Sequence, residues 1–102
     1  MEHIRRELLH KLENIHSKIN WVNVDNMQIV TLQSNYIFKD DVYHLSVECF
    51  VYVDEQMRSR IITEVEIQSI IFFVNYDEMP RFTFTKKELN NHIKNTIYAK
   101  KL

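Results

Sequence analysis

The amino-acid sequence predicts an α+β fold: a helix, an antiparallel β-meander of three long strands plus a short edge strand, and a second helix. Two observations predict this order. Apolar residues recur every second position through the middle of the chain, and every third or fourth position near both ends. A chain of 102 residues has the size of a single domain, so residues 1–102 are assigned to one α+β domain.

The first helix is predicted over residues 2–19. Its apolar residues are Ile4, Leu8, Leu12, Ile15 and Ile19, at spacings that place them on one helical face. A strand is predicted over Met27–Phe38, with Val30, Leu32, Tyr36 and Phe38 on its apolar face. Pairing Phe38 with Tyr43 across a four-residue loop brings every apolar residue of two neighbouring strands to the same face.

Two long strands are predicted within Val42–Tyr76, joined by a polar turn at residues 54–59. The odd-numbered face of the first strand is predicted to be core: Tyr43, Leu45, Val47, Cys49, Val51 and Val53. The return strand is apolar on both faces from Ile70 onward, so both of its faces need cover. An alternative is a bulge near Ser69 that re-aims the side chains.

The last part of the chain is predicted to add a short edge strand and a helix. Pro80 is tolerated at the start of an edge strand, Arg81–Phe84, whose two phenylalanines would lie on the face opposite the main core. Thr85 and Glu88 have the spacing of a capping box, and the helix that follows has a narrow apolar stripe of Leu89, Ile93 and Ile97.

Apolar side chains on the second face of the sheet are the candidate protein-binding residues: Phe50, Tyr52, Ile62, Ile70, Phe72, Val74, Phe82 and Phe84. Leaving several of them in water would forgo several kcal/mol, at about 25 cal/mol per Å². The C-terminal helix, a second subunit in a dimer or tetramer, or an extended segment of a client protein would provide cover.

The composition argues against several classes of function. The chain has no glycine, which excludes a glycine-rich phosphate-binding loop. The single cysteine, Cys49, cannot form an internal disulfide and is predicted to be a buried apolar residue. No catalytic residues, no metal site and no cofactor are predicted. The alternative is a metal-dependent hydrolase that uses His44, Glu48, Glu64 and Glu66 on the second face.

The charge distribution and the apolar segments bear on partners and location. Five lysines and one glutamate give residues 86–102 a net charge of +4, whereas residues 40–66 carry −5. An acidic sheet repels phosphate, and the pI is about 6.5, so no nucleic acid is expected as a partner. No apolar run approaches the roughly 20 residues that cross a bilayer. The sequence therefore favours a cytoplasmic chain with no membrane partner.

The central stretch carries one family resemblance. Residues 40–48, from Asp40-Asp41-Val42-Tyr43 into Leu45-Ser46-Val47-Glu48, and residues 64–72, from Glu64-Val65-Glu66 to Ile70-Ile71-Phe72, resemble the core hairpin of SecB-like export chaperones, including those that serve toxin–antitoxin systems. The family's glycine before the Ile-Phe pair is missing here, and only one helix follows the sheet.

This resemblance implies an ATP-independent holdase that oligomerises and binds unfolded segments in apolar grooves. By position it extends to Tyr43, Val65 and the run from Ile70 to Phe73. The predicted function is therefore a non-catalytic protein-binding module, with the holdase as its most concrete form. A small phage or mobile-element protein that binds and inhibits a host protein is the other non-catalytic alternative.

Overall fold

The computed structural model describes residues 2–22, 26–56, 59–80 and 84–100. It confirms the α+β fold, with a four-stranded antiparallel sheet in the order β1-β2-β3-β4. No helix in these ranges is long and apolar enough to cross a membrane. The elements are α1 (Glu2–His10), a 3₁₀ helix (Ile15–Lys18), β1 (Met27–Phe38), β2 (Asp41–Gln56), β3 (Ser59–Val74), β4 (Asp77–Glu78) and α2 (Lys86–Lys100).

The N-terminal helix is shorter than the predicted range of residues 2–19. It ends at His10, and the chain resumes as the 3₁₀ helix, whose N-cap Asn14 accepts a hydrogen bond from the His16 N–H at 2.9 Å. The interruption brings Glu13 beside β1, where its N–H donates to the Gln33 carbonyl at 3.1 Å. Contact with the sheet therefore overrides the helical periodicity at this point.

The strand β1 has its predicted bounds, but its predicted register with β2 is wrong by two residues. Phe38 pairs with Asp41 rather than Tyr43, and the loop contains only Lys39 and Asp40. Both loop residues have positive φ, 50° and 66°, as a type I′ hairpin turn requires. Because side chains alternate with a period of two, this shift leaves the assignment of faces unchanged.

Two β-bulges in β3 change which of its side chains face the core, relative to the prediction. Glu48 pairs with Ser69 and Cys49 with Ile67, which leaves Gln68 as an extra residue. A second register shift leaves Thr63 as an extra residue between Ile62 and Glu64. Each bulge moves the core-facing positions from one parity to the other. The alternative of a bulge near Ser69 is therefore confirmed.

The prediction that Ile62, Ile70, Phe72 and Val74 lie on the second face is wrong. The bulges place them on the same face as the odd-numbered residues of β2, and Phe72 is 1% exposed opposite Leu45. Ile70 and Val74 are partly buried against the same core. The predicted core residues of β2, from Tyr43 to Val53, are all buried as expected.

All described helices cover this one face of the sheet. Ile4 and Leu8 of α1, Ile15 of the 3₁₀ helix, and Leu89, Ile93 and Ile97 of α2 belong to the same hydrophobic core as the strands. The predicted capping box is present: the Glu88 N–H donates to Thr85 Oγ1 at 3.1 Å, and the Thr85 N–H donates to Glu88 Oε1 at 3.0 Å. Arg5 Nη2 donates to the same carboxylate at 2.6 and 2.7 Å, which joins α1 to α2.

The predicted edge strand Arg81–Phe84 differs from the structure where it can be compared. The described edge strand is β4, two residues long, which follows the two-residue turn of Asn75 and Tyr76. Phe82 lies outside the described residues. Phe84 belongs to no strand and is buried in the main core, with the Arg5 guanidinium 4.5 Å from its ring centroid. Its predicted place on the second face is therefore wrong.

Candidate functional site: the open face of the sheet

The face of the sheet opposite the helices has no described element packed on it, and we call it the open face. Its residues alternate with the core positions in all three long strands. They are Ile29, Thr31, Gln33, Asn35 and Ile37 of β1; Val42, His44, Ser46, Glu48, Phe50 and Tyr52 of β2; and Ile61, Glu64, Glu66, Ser69, Ile71 and Phe73 of β3.

One end of the open face, next to the two hairpin turns, is mainly apolar, and we call it the apolar end. It forms a shallow depression of about 510 Å³ lined by Asn35, Ile37, Val42, His44, Phe73 and Tyr76. Ile37 is 70% exposed and Tyr76 is 84% exposed. Apolar side chains that are this exposed and this close together are typical of an interaction surface.

Tyr76 is held at the rim of the apolar end by a strained turn. Its φ is 72°, a value that is costly for a bulky side chain and that hairpins usually assign to glycine. Asn75 fixes the turn, because its Oδ1 accepts from the Val42 N–H at 2.8 Å and its Nδ2 donates to Asp41 Oδ1 at 2.9 Å. The fold thus presents an aromatic ring to solvent at a position where a smaller residue would cost less.

His44 lies between β1 and β3 within this depression. Its Nδ1 lies 2.5 Å from Asn35 Oδ1, within hydrogen-bonding distance. Its ring centroid is 5.6 Å from that of Phe73. Among the described residues, no serine hydroxyl or cysteine thiol forms a hydrogen bond with this imidazole. The ring contacts the Asn35 amide and the Phe73 ring.

The other end of the open face mixes aromatic and acidic side chains. Phe50 lies between Ile29 and Glu66, and Tyr52 lies beside Glu64. The Tyr52 hydroxyl donates to Glu66 Oε2 at 3.4 Å. Desolvation, together with the charges of Glu66 and Glu64, raises the pKa of Tyr52. This end combines negative charge with ring surface.

The four residues of the hydrolase alternative share the open face but do not converge. His44 pairs with Phe73, Glu48 with Ser69, and Glu64 with Tyr52, so other side chains separate the imidazole from the carboxylates. Within the described ranges, no three His, Cys, Asp or Glu side chains are placed to hold a metal ion together. These four side chains therefore form no metal-binding cluster in the described structure.

Of the predicted binding residues, Phe50 and Tyr52 are on the open face as expected. Five others, Ile62, Ile70, Phe72, Val74 and Phe84, pack on the core side. Prediction from sequence missed Ile29, Ile37 and Tyr76, which are the most exposed apolar residues of the open face and its rim. The alternation of β1 contained the signal for Ile29 and Ile37, since the even-numbered face had already been assigned to the core.

Comparisons of this chain with protein-family models, with curated proteins and with solved structures found no match.

Proposed function

We propose that this chain is a non-catalytic protein-binding module whose partner docks on the open face. The observation that carries the proposal is the apolar end, where Ile37 and Tyr76 are exposed beside Phe73 and no described element covers them. Burying such side chains against a partner would contribute about 25 cal/mol per Å² of apolar area. The turn at Tyr76 supports the same reading, because it presents an aromatic ring to solvent at a φ of 72°, where a smaller residue would cost less.

The most concrete form of the proposal is an ATP-independent holdase of the SecB-like kind that associates into dimers or tetramers. A sheet face that combines exposed aliphatic and aromatic side chains is suited to apolar segments of many sequences. A cytoplasmic location belongs to the same proposal and is supported by Cys49, which is free and buried. Burial raises the pKa of its thiol to about 11, which keeps it in the unreactive protonated form.

Substitution of Ile37 by aspartate tests the proposal. The side chain is 70% exposed, so Ile37→Asp should leave the fold intact while it places a charge in the apolar end. We expect the wild-type chain to suppress aggregation of chemically denatured malate dehydrogenase, and the variant to require at least about fivefold more protein for the same effect, equivalent to about 1 kcal/mol.

Thr31→Asp is the matched control, because Thr31 is exposed on the same strand and the same face but lies outside the depression. It should behave as the wild-type chain does. Sedimentation of all three proteins measures self-association in parallel. Loss of activity in both variants, or in neither, would contradict a role for the apolar end.

A further inference from the structure

A second surface lies at the far edge of the sheet, between β3 and α2. It is a groove of about 800 Å³ that follows residues 61–67 of β3 on one side. Lys86, Asn90, Lys94 and Ile97 of α2 form the other side. The groove lies away from the apolar end and shares none of its residues.

The backbone of β3 faces this groove with groups that the sheet does not use. The Val53 N–H donates to Asn26 O at 2.9 Å, which shows that the backbone groups of odd-numbered β2 residues point toward β1. The Asn75 N–H donates to Val42 O at 2.8 Å, which shows that the backbone groups of even-numbered β2 residues point toward β3. Val65 and Ile67 pair with odd-numbered β2 residues, so their own N–H and C=O groups point away from β2. The strand β4 reaches only Phe73 and Val74, which leaves this edge open along the described chain.

Charges of opposite sign border the groove. Lys86 and Lys94 are exposed on α2, and neither takes part in an ion pair among the described residues. Glu64 and Glu66 are exposed on the β3 side. If this edge paired with the same edge of a second copy, glutamates would face glutamates and lysines would face lysines. Like charges that face each other across strands are destabilising. The edge therefore favours a different chain.

We propose that this groove binds an extended segment of another protein, which adds to β3 as a further strand. Side chains of an added strand alternate between the α2 side and the open-face side. The segment that fits has acidic residues at alternate positions, facing Lys86 and Lys94, and basic residues between them, facing Glu64 and Glu66. This is a second contact, independent of the docking on the apolar end.

Asn90 supports the assignment of this groove as a binding surface. Its Oδ1 is buried and accepts no hydrogen bond from the described residues. A buried acceptor without a donor is unfavourable. A donor group on a side chain of the added strand, on its α2 side, would satisfy this oxygen.

The probe for this proposal is the fluorescein-labelled peptide Lys-Glu-Lys-Val-Lys-Glu-Lys, titrated with the full-length chain and followed by fluorescence anisotropy. We expect saturable binding. A permuted peptide of the same composition, Lys-Lys-Lys-Lys-Val-Glu-Glu, has the same net charge without the alternation and should bind at least about fivefold more weakly. Equal binding of both peptides overturns the proposal. So does the absence of binding of the first peptide at about 1 mM, a concentration at which weak complexes are detected.

Methylation of the peptide backbone separates strand addition from attraction of charges. Two versions of the probe carry N-methyl groups on alternate amides, one version on the odd-numbered residues and one on the even-numbered residues. Only one of these sets points toward β3 in an added strand, so one version should lose binding and the other should retain it. Equal effects of the two sets overturn the proposal.

Charge reversal on α2 locates the site. Lys94→Glu should weaken the peptide by about fivefold, whereas Lys87→Glu, the same change at an exposed residue outside the groove, should not. Equal weakening by both variants would overturn the groove as the site. Ile37→Asp should leave peptide binding unchanged, which distinguishes failure of this inference from failure of the proposed function.

Discussion

The outer edge of β1 and the outer edge of β3 are both long, and they are protected in different ways. The strand β1, Met27–Phe38, contains no charged residue, and Glu13 closes its edge at the middle. The Glu13 N–H donates to Gln33 O, and the Gln33 N–H donates to Glu13 Oε1 at 2.7 Å. The edge of β3 beside α2 has no such closure in the described chain, but it is bordered by Glu64, Glu66, Lys86 and Lys94.

The difference shows two ways to prevent unwanted strand pairing. An uncharged edge attracts any other strand, including its own copy, and so needs a group that occupies its backbone. A charged edge repels its own copy and still admits a strand of complementary pattern. The β1 edge is therefore expected to be closed to partners, and the β3 edge to be selective.

The largest expected effect comes from removing the anchor of α2, which forms one wall of the β3 groove. Leu89 is fully buried, so Leu89→Ala should lower the free energy of unfolding by about 2–5 kcal/mol. Urea denaturation measures this change. Lys87→Ala, an exposed position two residues earlier on the same helix, should change stability by less than about 0.5 kcal/mol. A loss below about 1 kcal/mol in Leu89→Ala would mean that α2 contributes little to the core.

Opening the β1 edge should have a smaller effect on stability and a clear effect on association. Glu13→Ala removes the acceptor of the Gln33 N–H, at a cost of about 1 kcal/mol. Hydrogen exchange at Gln33 should accelerate, and sedimentation should show new concentration-dependent dimers through the uncharged edge. Glu48→Ala on the open face is the control and should do neither. An unchanged exchange rate at Gln33 would contradict the closing role of Glu13.

The smallest expected effect concerns the charge contact that ties α2 to α1. Hydrogen bonds from the Thr85 backbone and from Arg5 lower the pKa of Glu88 below its ordinary value of 4.5. The folded state therefore favours the carboxylate, so this stability is complete above about pH 4.5 and is lost as the pH falls through the lower folded pKa.

Glu88→Gln should cost less than about 1 kcal/mol at pH 7, because the pair is partly exposed and water screens it. Between pH 6 and pH 3, the Tm of the wild-type chain should fall more steeply than the Tm of Glu88→Gln. Parallel curves would show that this carboxylate does not couple folding to protonation. Glu48→Gln is a suitable control for the change of charge.

The sequence predicted those parts of the fold that depend on local pattern. The bounds of β1, the core face of β2 and the capping box of Thr85 and Glu88 follow from periodicity and from short-range hydrogen bonds. The hairpin register did not follow, because Lys39 and Asp40 lack the Asn-Gly signature of the two-residue turn that they form.

The candidate site was predicted less well for a related reason. Thr63 and Gln68 resemble ordinary polar positions of a strand, so nothing local marks them as the extra residues that return Ile70 and Phe72 to the core. Once these two bulges are included, fewer apolar residues lie on the second face. The most exposed of them at the apolar end and its rim are Ile37 and Tyr76. The position of the candidate surface depends on pairing between strands, which the period of one strand does not contain.

The two extra residues of β3 also determine where this strand tolerates a change of length. Removing Gln68 would straighten the ladder and leave Val65, Ile67 and Ile70 in one unbroken alternation, with every core residue still inward. The same deletion at Glu66, between the bulges, would turn the neighbouring side chains to the wrong side. Natural variants that are one residue shorter in β3 are therefore expected to have lost Thr63 or Gln68, and insertions elsewhere in the strand are expected to be rare.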